Sequence, residues 1–318
     1  MLSALEAVVS ILLLILLGFV LAKRNWFDSG STGLIGRLVI SVSLPAYMVA
    51  NLLGGYDRAR LLAMLPGLPV PFAVMLLSFA IGALVARLAR VSEGRRGTFA
   101  SMFSLSNTIF IGLPVNLVLF GEGSLPYVLL YYIANTTLFW TLGIHGIGGD
   151  GAKRSGIARV PLLSLGSLRR VLSPPLVAFV AASLLVLAGF KPPAFLLDLA
   201  RTVGNMTTPL SMIFIGVTLA AVDWRLVRPS LDMALLLLGR FAIAPLILVL
   251  TVAWTDLPSL MKKVFLIQAS MPAMTQTAIV ARTYGADEAY AGLLTSMSTI
   301  ASLVTIPLFM ALVSILHL

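Results

Sequence analysis

With 318 residues, 59% of them hydrophobic and 11% charged, and a mean hydropathy of +1.03, the chain is too apolar for a soluble globular protein and reads as an all-α integral membrane protein. Its net charge of +10 would suggest a nucleic-acid binder in a soluble chain. Here the lysines and arginines sit mostly in short loops between apolar runs, the pattern that orients helices in a bilayer, so nucleic acid is excluded as a partner. There is no cysteine, and the two histidines, His145 and His317, lie near span ends, so disulfides, thiolate sites and a histidine metal cluster are not expected and no cofactor is implied.

Runs able to cross roughly 30 Å of hydrocarbon as helices recur from end to end. The expected spans are about 5–22, 33–53, 62–88, 98–119, 125–144, 172–189, 197–221, 230–254, 262–282 and 289–315. The first lacks a basic n-region and is followed by Lys23 and Arg24, so it is expected to be a retained span. Fifteen Lys and Arg follow odd-numbered spans, among them Arg87, Arg95, Arg159, Arg169, Arg225 and Arg228, and six follow even-numbered ones. The positive-inside rule then places both termini outside and the loop from His145 to Arg170 in the cytoplasm.

The fourth span carries Ser104-Leu105-Ser106-Asn107-Thr108-Ile109-Phe110-Ile111-Gly112-Leu113-Pro114-Val115-Asn116, with amides, a hydroxyl, a glycine and a proline inside an apolar run. Gly112 costs roughly 1 kcal/mol of helix propensity and Pro114 about 3, and the proline also removes a backbone donor. Non-helical backbone survives in hydrocarbon only where it is buried in protein or lines a wet cavity. An interruption with a new half-helix end at Gly112–Pro114 is therefore expected, as part of a binding site.

An offset of 164 residues recurs through the sequence. It carries Arg37 and Pro45 onto Arg201 and Pro209, and Ser106 to Gly121 onto Ser270 to Gly285 without a gap. Each copy holds five expected spans, an odd number, so the second copy must be inverted in the membrane, an architecture shared by many secondary transporters. The ninth span repeats the interruption as Gln268-Ala269-Ser270-Met271-Pro272-Ala273-Met274-Thr275-Gln276. Two such breaks would each expose the N-terminus of a half-helix, which carries unpaired N–H groups and about half a positive charge and so suits an anion.

Glu6, Glu93, Glu122, Asp198, Asp223, Asp232, Asp256, Asp287 and Glu288 all fall near expected span ends or in loops. Cation antiporters and proton pumps usually run on buried carboxylates, so a neutral or anionic substrate is favoured. Arg240 lies about ten residues into the eighth span. It is either a counter-charge for a substrate carboxylate or a side chain that snorkels or pairs with a carbonyl. The fifth span, with Tyr127, Tyr131, Tyr132, Asn135 and Trp140, reads mostly as packing and interface belt, with Asn135 placed at mid-span to reach a site.

The run Ser-Asn-Thr-Ile-Phe-Ile-Gly-Leu-Pro at 106–114, Phe120-Gly121, Arg37 ahead of Leu44-Pro45, and Met271-Pro272 together resemble the auxin efflux carrier family, which includes bacterial malonate and other organic-acid carriers and the plant PIN-FORMED exporters. The resemblance implies ten helices in two inverted five-helix repeats, residues 1–150 and 172–318, joined by a cytoplasmic linker over 151–171. Helices 4 and 9 would cross in a sodium–proton antiporter or bile-acid-symporter-like fold. Spans 1, 2, 6 and 7 would form a scaffold that makes a homodimer, and spans 3–5 and 8–10 a transport domain. A multi-pass protein of the bacterial inner (plasma) membrane moving a small organic anion by alternating access is implied. Asn107 is similar to the family's substrate-contacting asparagine and Pro114 and Pro272 to its crossover prolines. The expected contacts are Asn107, Thr108, Gly112, Pro114 and Asn116 from the fourth span and Met271, Pro272, Thr275 and Gln276 from the ninth. Pro45 and Met48 would line the scaffold face, with Asn135 and Arg240 as further members. A sodium-coupled symporter of the bile-acid type is the second reading and a membrane enzyme or receptor the third; the latter lacks buried groups to catalyse with.

Overall fold

A computed structural model describes residues 2–156, 161, 162, 166, 170–222 and 229–315. Arg159, Arg169, Asp223, Arg225, Arg228, His317 and ten of the 21 residues of the expected linker lie outside the described residues. Among the described residues the chain is helical, and the one β-type pairing is an isolated bridge between Ser106 and Ala273. Six helices among the described residues are long and apolar enough to cross a membrane: Gly30–Gly55, Arg58–Leu88, Glu122–Ser155, Ala194–Ala220, Leu231–Val252 and Glu288–Val313. Val9–Lys23, Thr108–Phe120 and Pro174–Leu187 are shorter apolar helices. The expected spans over 98–119 and 262–282 are each cut into two short helices, so neither counts as a full-length crossing. The chain is a multi-pass, membrane-embedded protein.

Two compact units are present, Met1–Leu68 with Ile109–Leu130 and Leu172–Ala221, and Pro69–Thr108 with Tyr131–Val171 and Val222–Leu318. In the first, α1 (Leu2–Lys23) and α12 (Thr207–Ala220) pack through small residues, the usual way apolar helices approach closely when lipid is the solvent. A Cβ on Gly216 would lie 2.0 Å from the Ile15 carbonyl oxygen, and one on Gly18 2.3 Å from that of Ile213. Gly216→Ala is therefore expected to force α1 and α12 apart and to lower the melting temperature of the purified protein by several degrees, overpacking of this kind costing about 1–3 kcal/mol. An unchanged melting curve would contradict that packing. Also in this unit, α3 (Leu44–Gly55) packs on α10 (Pro174–Leu187) and α11 (Ala194–Gly204), and Phe110 stacks on Phe214 at 4.6 Å.

Three prolines are accommodated by one device. Pro45, Pro114 and Pro245 each occupy the second position of a helix that continues directly from a five-residue π turn: Val39–Ser43, Thr108–Gly112 and Gly239–Ile243. A proline in a regular helix clashes with the carbonyl four residues back and leaves it without a donor. The wider π turn shifts the register so that no such donor is required, and the helix runs on. The interruption expected at Gly112–Pro114 is thus corrected: the chain is helical there, and its break lies at Leu105–Asn107.

In the second unit, α5 (Pro69–Leu88) packs on α6 (Arg96–Ser104), which packs on α9 (Ile144–Ser155). The expectation that His145 onward forms a loop is corrected, since the helix continues to Ser155. Its register brings Asp150, only 3% exposed, onto the start of α6, where it accepts from the N–H of Gly97 (3.1 Å), the N–H of Thr98 (2.6 Å) and the Thr98 hydroxyl (2.8 Å). Those donors are the ones a helix start leaves unpaired.

Asp287, ahead of α17 (Glu288–Ile315), accepts from Arg95 at 2.7 Å, from Arg154 at 2.9 Å and from the Tyr290 N–H at 3.1 Å. Burial pushes its carboxyl up, but the Tyr290 N–H and the guanidiniums of Arg95 and Arg154 together outweigh this and hold it below the ordinary value of 3.8. A carboxylate lowered on folding contributes stability that is complete above its unfolded pKa and is lost as pH falls through the folded one. The melting temperature is expected to drop below about pH 4, and Asp287→Asn to be less stable at neutral pH with a flatter acid limb. Parallel acid limbs in the two proteins would contradict this.

Candidate functional site

Two interrupted helices meet in the second unit. After α6 ends at Ser104 the backbone extends through Leu105; after α15 (Ser259–Ala269) it runs irregularly from Ser270 to Thr275, where α16 (Gln276–Thr283) begins. The two extended pieces lie antiparallel. Ser106 bridges Ala273, and the Asn107 N–H donates to the Pro272 carbonyl at 2.8 Å.

Buried backbone needs partners, and named side chains supply them. The Asn135 amide accepts from the Ser106 N–H and donates to the Ser106 carbonyl, both at 2.9 Å, as a neighbouring strand would. The Ser298 hydroxyl accepts from the Ala273 N–H at 3.1 Å, and Gln268 donates to the Thr108 carbonyl at 3.2 Å. Arg240, with no exposed surface, spreads its guanidinium over three carbonyls: Phe103 at 3.2 Å, Ala269 at 2.9 Å and Met271 at 2.8 and 3.1 Å. The planar fork with several donors suits arginine to that task, and the single ammonium of lysine does not. Among the described residues no carboxylate partners Arg240, so a positive charge stands uncompensated at the crossover.

Of the residues expected at a site, Asn107, Thr108, Asn135, Arg240, Met271, Pro272, Thr275 and Gln276 gather in this unit. Asn107 and Thr108 are 3% and 2% exposed, Met271 and Pro272 are buried, and Thr275 and Gln276 are half-buried at the start of α16. Asn135 and Arg240 reach the crossover, but the bonds described tie them to backbone. Pro45, Met48, Gly112, Pro114 and Asn116 belong to the first unit. There Met48 is buried, and Asn116 turns back along its own helix to donate to the Gly112 carbonyl at 2.7 Å.

Gln268 and Ser298 were not expected at the site. An amide within an apolar run, two residues before the broken backbone, was a legible signal for Gln268. For Ser298 the signal was the 164-residue offset, which carries Asn135 onto its neighbour Thr299. No group of three or more His, Cys, Asp or Glu that could hold a metal occurs among the described residues.

A family model described as "Membrane transport protein" matches residues 3–310. An uncharacterized transporter of Methanothermobacter thermautotrophicus is 29% identical over 311 residues, covering 96% of each chain. An uncharacterized transporter of Methanocaldococcus jannaschii is 22% identical, covering 89% of this chain and 90% of its own. A Rhizobium meliloti protein named "putative malonate transporter" is 23% identical over 308 residues, covering 92% of this chain and 90% of its own.

Proposed function

Because the chain belongs to the membrane transport protein family, that of the auxin efflux carriers, and is a transporter, not an enzyme, we propose that it carries a small organic anion, a mono- or dicarboxylate, by alternating access. The observation that carries the reading is the buried charge of Arg240 at the crossover, held by carbonyls and, among the described residues, opposed by no carboxylate. At a separation of about 8 Å and an effective dielectric of about 20, such a charge attracts an anion by about 2 kcal/mol and repels a cation by as much. The half-helix starts after each break add the same sign. Asn107 and Thr108 hydrogen-bond the carboxylate, and Thr275 and Gln276 approach it from the other interrupted helix.

The second reading is sodium-coupled symport of the bile-acid type. In such folds the C-terminal ends of half-helices and unwound carbonyls coordinate the ion. In this chain the carbonyls of Phe103, Ala269 and Met271 are already bonded to Arg240, which favours transport without sodium at that position.

The dimerising scaffold of spans 1, 2, 6 and 7 falls within the first compact unit, which also holds Ile109–Leu130 from spans 4 and 5, and spans 8–10 of the moving domain fall within the second. The matching breaks at a 164-residue offset support two inverted five-helix repeats with ten spans, and the basic-residue count supports both termini outside the inner membrane of a bacterial cell. The test is thermal stability of the detergent-purified protein against malonate and other small carboxylates, with and without sodium. A ligand at about 100 times its dissociation constant adds roughly 2.7 kcal/mol to the native state. A shift with one carboxylate, unaffected by sodium, is expected. A shift that appears only with sodium would move the assignment to symport, and stabilisation by neutral or cationic metabolites alone would overturn the anion reading.

A further inference from the structure

The second unit holds a cavity of about 350 Å³ between the end of α5, the start of α6 and α9. It has no part in the crossover. Its mouth carries three cations, Arg87, Arg96 and Lys153, and two carboxylates, Glu93 and Asp150. Asp150 is committed to the start of α6, and the exposed Glu93 is shared between Arg96 at 3.3 Å and Lys153 at 3.6 Å. Among the described residues Arg87 bonds nothing, so the mouth keeps a net positive charge with unused guanidinium donors.

Apart from the exposed His145, which lies at the depth of the apolar walls, the lining passes from charged to apolar along the cavity. Arg87 ends its span and Arg96 opens the next helix, so the charged mouth lies where these helices leave the membrane. Phe79 and Ala83 precede Arg87 on α5, Leu142 precedes Lys153 ahead of and along α9, and Ala100 follows Arg96 on α6. At about 1.5 Å per residue these apolar walls lie about 6–16 Å deeper than the cations. A cationic mouth over an apolar floor complements an amphiphile with an anionic head, and basic pockets between membrane helices recognise lipid head groups in this way. Free phosphate would use only the mouth. Gly149 faces the space from α9, and a Cβ placed there meets no atom within 4 Å.

We propose that this cavity is a binding site for an anionic phospholipid, its phosphate held by Arg87, Arg96 and Lys153 and an acyl chain laid over Phe79, Ala83 and Leu142. The test is native mass spectrometry of the full-length protein in detergent with dioleoyl phosphatidylglycerol, dioleoyl phosphatidylcholine or inorganic phosphate. Each basic residue near a membrane surface contributes about a fivefold preference for anionic lipid. Phosphatidylglycerol is expected to be retained at least about fivefold better than phosphatidylcholine. Gly149→Phe, whose Cβ meets no atom and whose ring would occupy the cavity, should abolish its retention, and Arg87→Gln, at an exposed position, should weaken it about fivefold. Equal retention of the two lipids, phosphate binding that matches phosphatidylglycerol, or unchanged retention in Gly149→Phe would each overturn the proposal. Should Gly149→Phe fail to fold, the Arg87→Gln comparison decides alone.

Discussion

Arg240→Ala is expected to leave little folded protein. The side chain has no exposed surface and bonds the carbonyls of Phe103, Ala269 and Met271. All three sit where α6 and α15 end or just beyond, with no following helical turn to supply donors. Alanine would orphan them in an apolar interior, at about 1–3 kcal/mol for each buried group left unsatisfied, and would leave a cavity where the guanidinium stood. The sum is comparable with the whole stability of many domains, about 5–15 kcal/mol. Arg240→Lys keeps the charge but offers one donor atom in place of a fork, and should melt between the two. Size-exclusion profiles and melting curves in detergent measure this. A monodisperse Arg240→Ala protein with wild-type melting would show that the carbonyls find other partners and would remove the main support for a tethered cation at the crossover.

Asn107→Ala is expected to separate binding from folding. The bond by which residue 107 holds the crossover together is made by its backbone N–H to Pro272, which alanine retains. The lost amide is the group assigned to the substrate carboxylate. A hydrogen bond to a charged group contributes about 1.5–3 kcal/mol, so affinity should fall by between about tenfold and a hundredfold or more. The variant is expected to purify as a folded protein while the carboxylate-induced shift disappears. Wild-type affinity in this variant would remove Asn107 from the site. Unfolding would instead show that its side chain acts structurally, like that of Asn135.

The membrane class and the existence of two broken helices were readable in the sequence because each depends on local chemistry: apolar length, and rare polar residues and prolines inside apolar runs. The position of the first break was misread for a physical reason. Pro114 looks like the breaker by propensity, yet a π turn ahead of it accepts a proline within a continuing helix, and the chain opens at Leu105–Asn107, where residues of ordinary propensity pair with the other broken helix. Propensity measures a residue in its own helix and says nothing about a partner 167 positions away, as Ala273 is from Ser106. Asp150 was misplaced for a similar reason. A polar, glycine-rich stretch reads as a loop, whereas the tertiary fold gives its carboxylate the unpaired donors at the start of α6.

The sequence by itself determined that this protein lives in a bilayer, that both halves of it carry an interrupted helix, and that few acids and one deep arginine lie in its spans, because hydrophobic length and residue type act locally. Only the tertiary structure decided what those polar groups do. It turned Asn135, Gln268, Ser298 and Arg240 toward backbone groups that the breaks set free, because a buried donor or acceptor must be satisfied by whichever chain segment packing brings near, and that choice is not encoded at the residue itself.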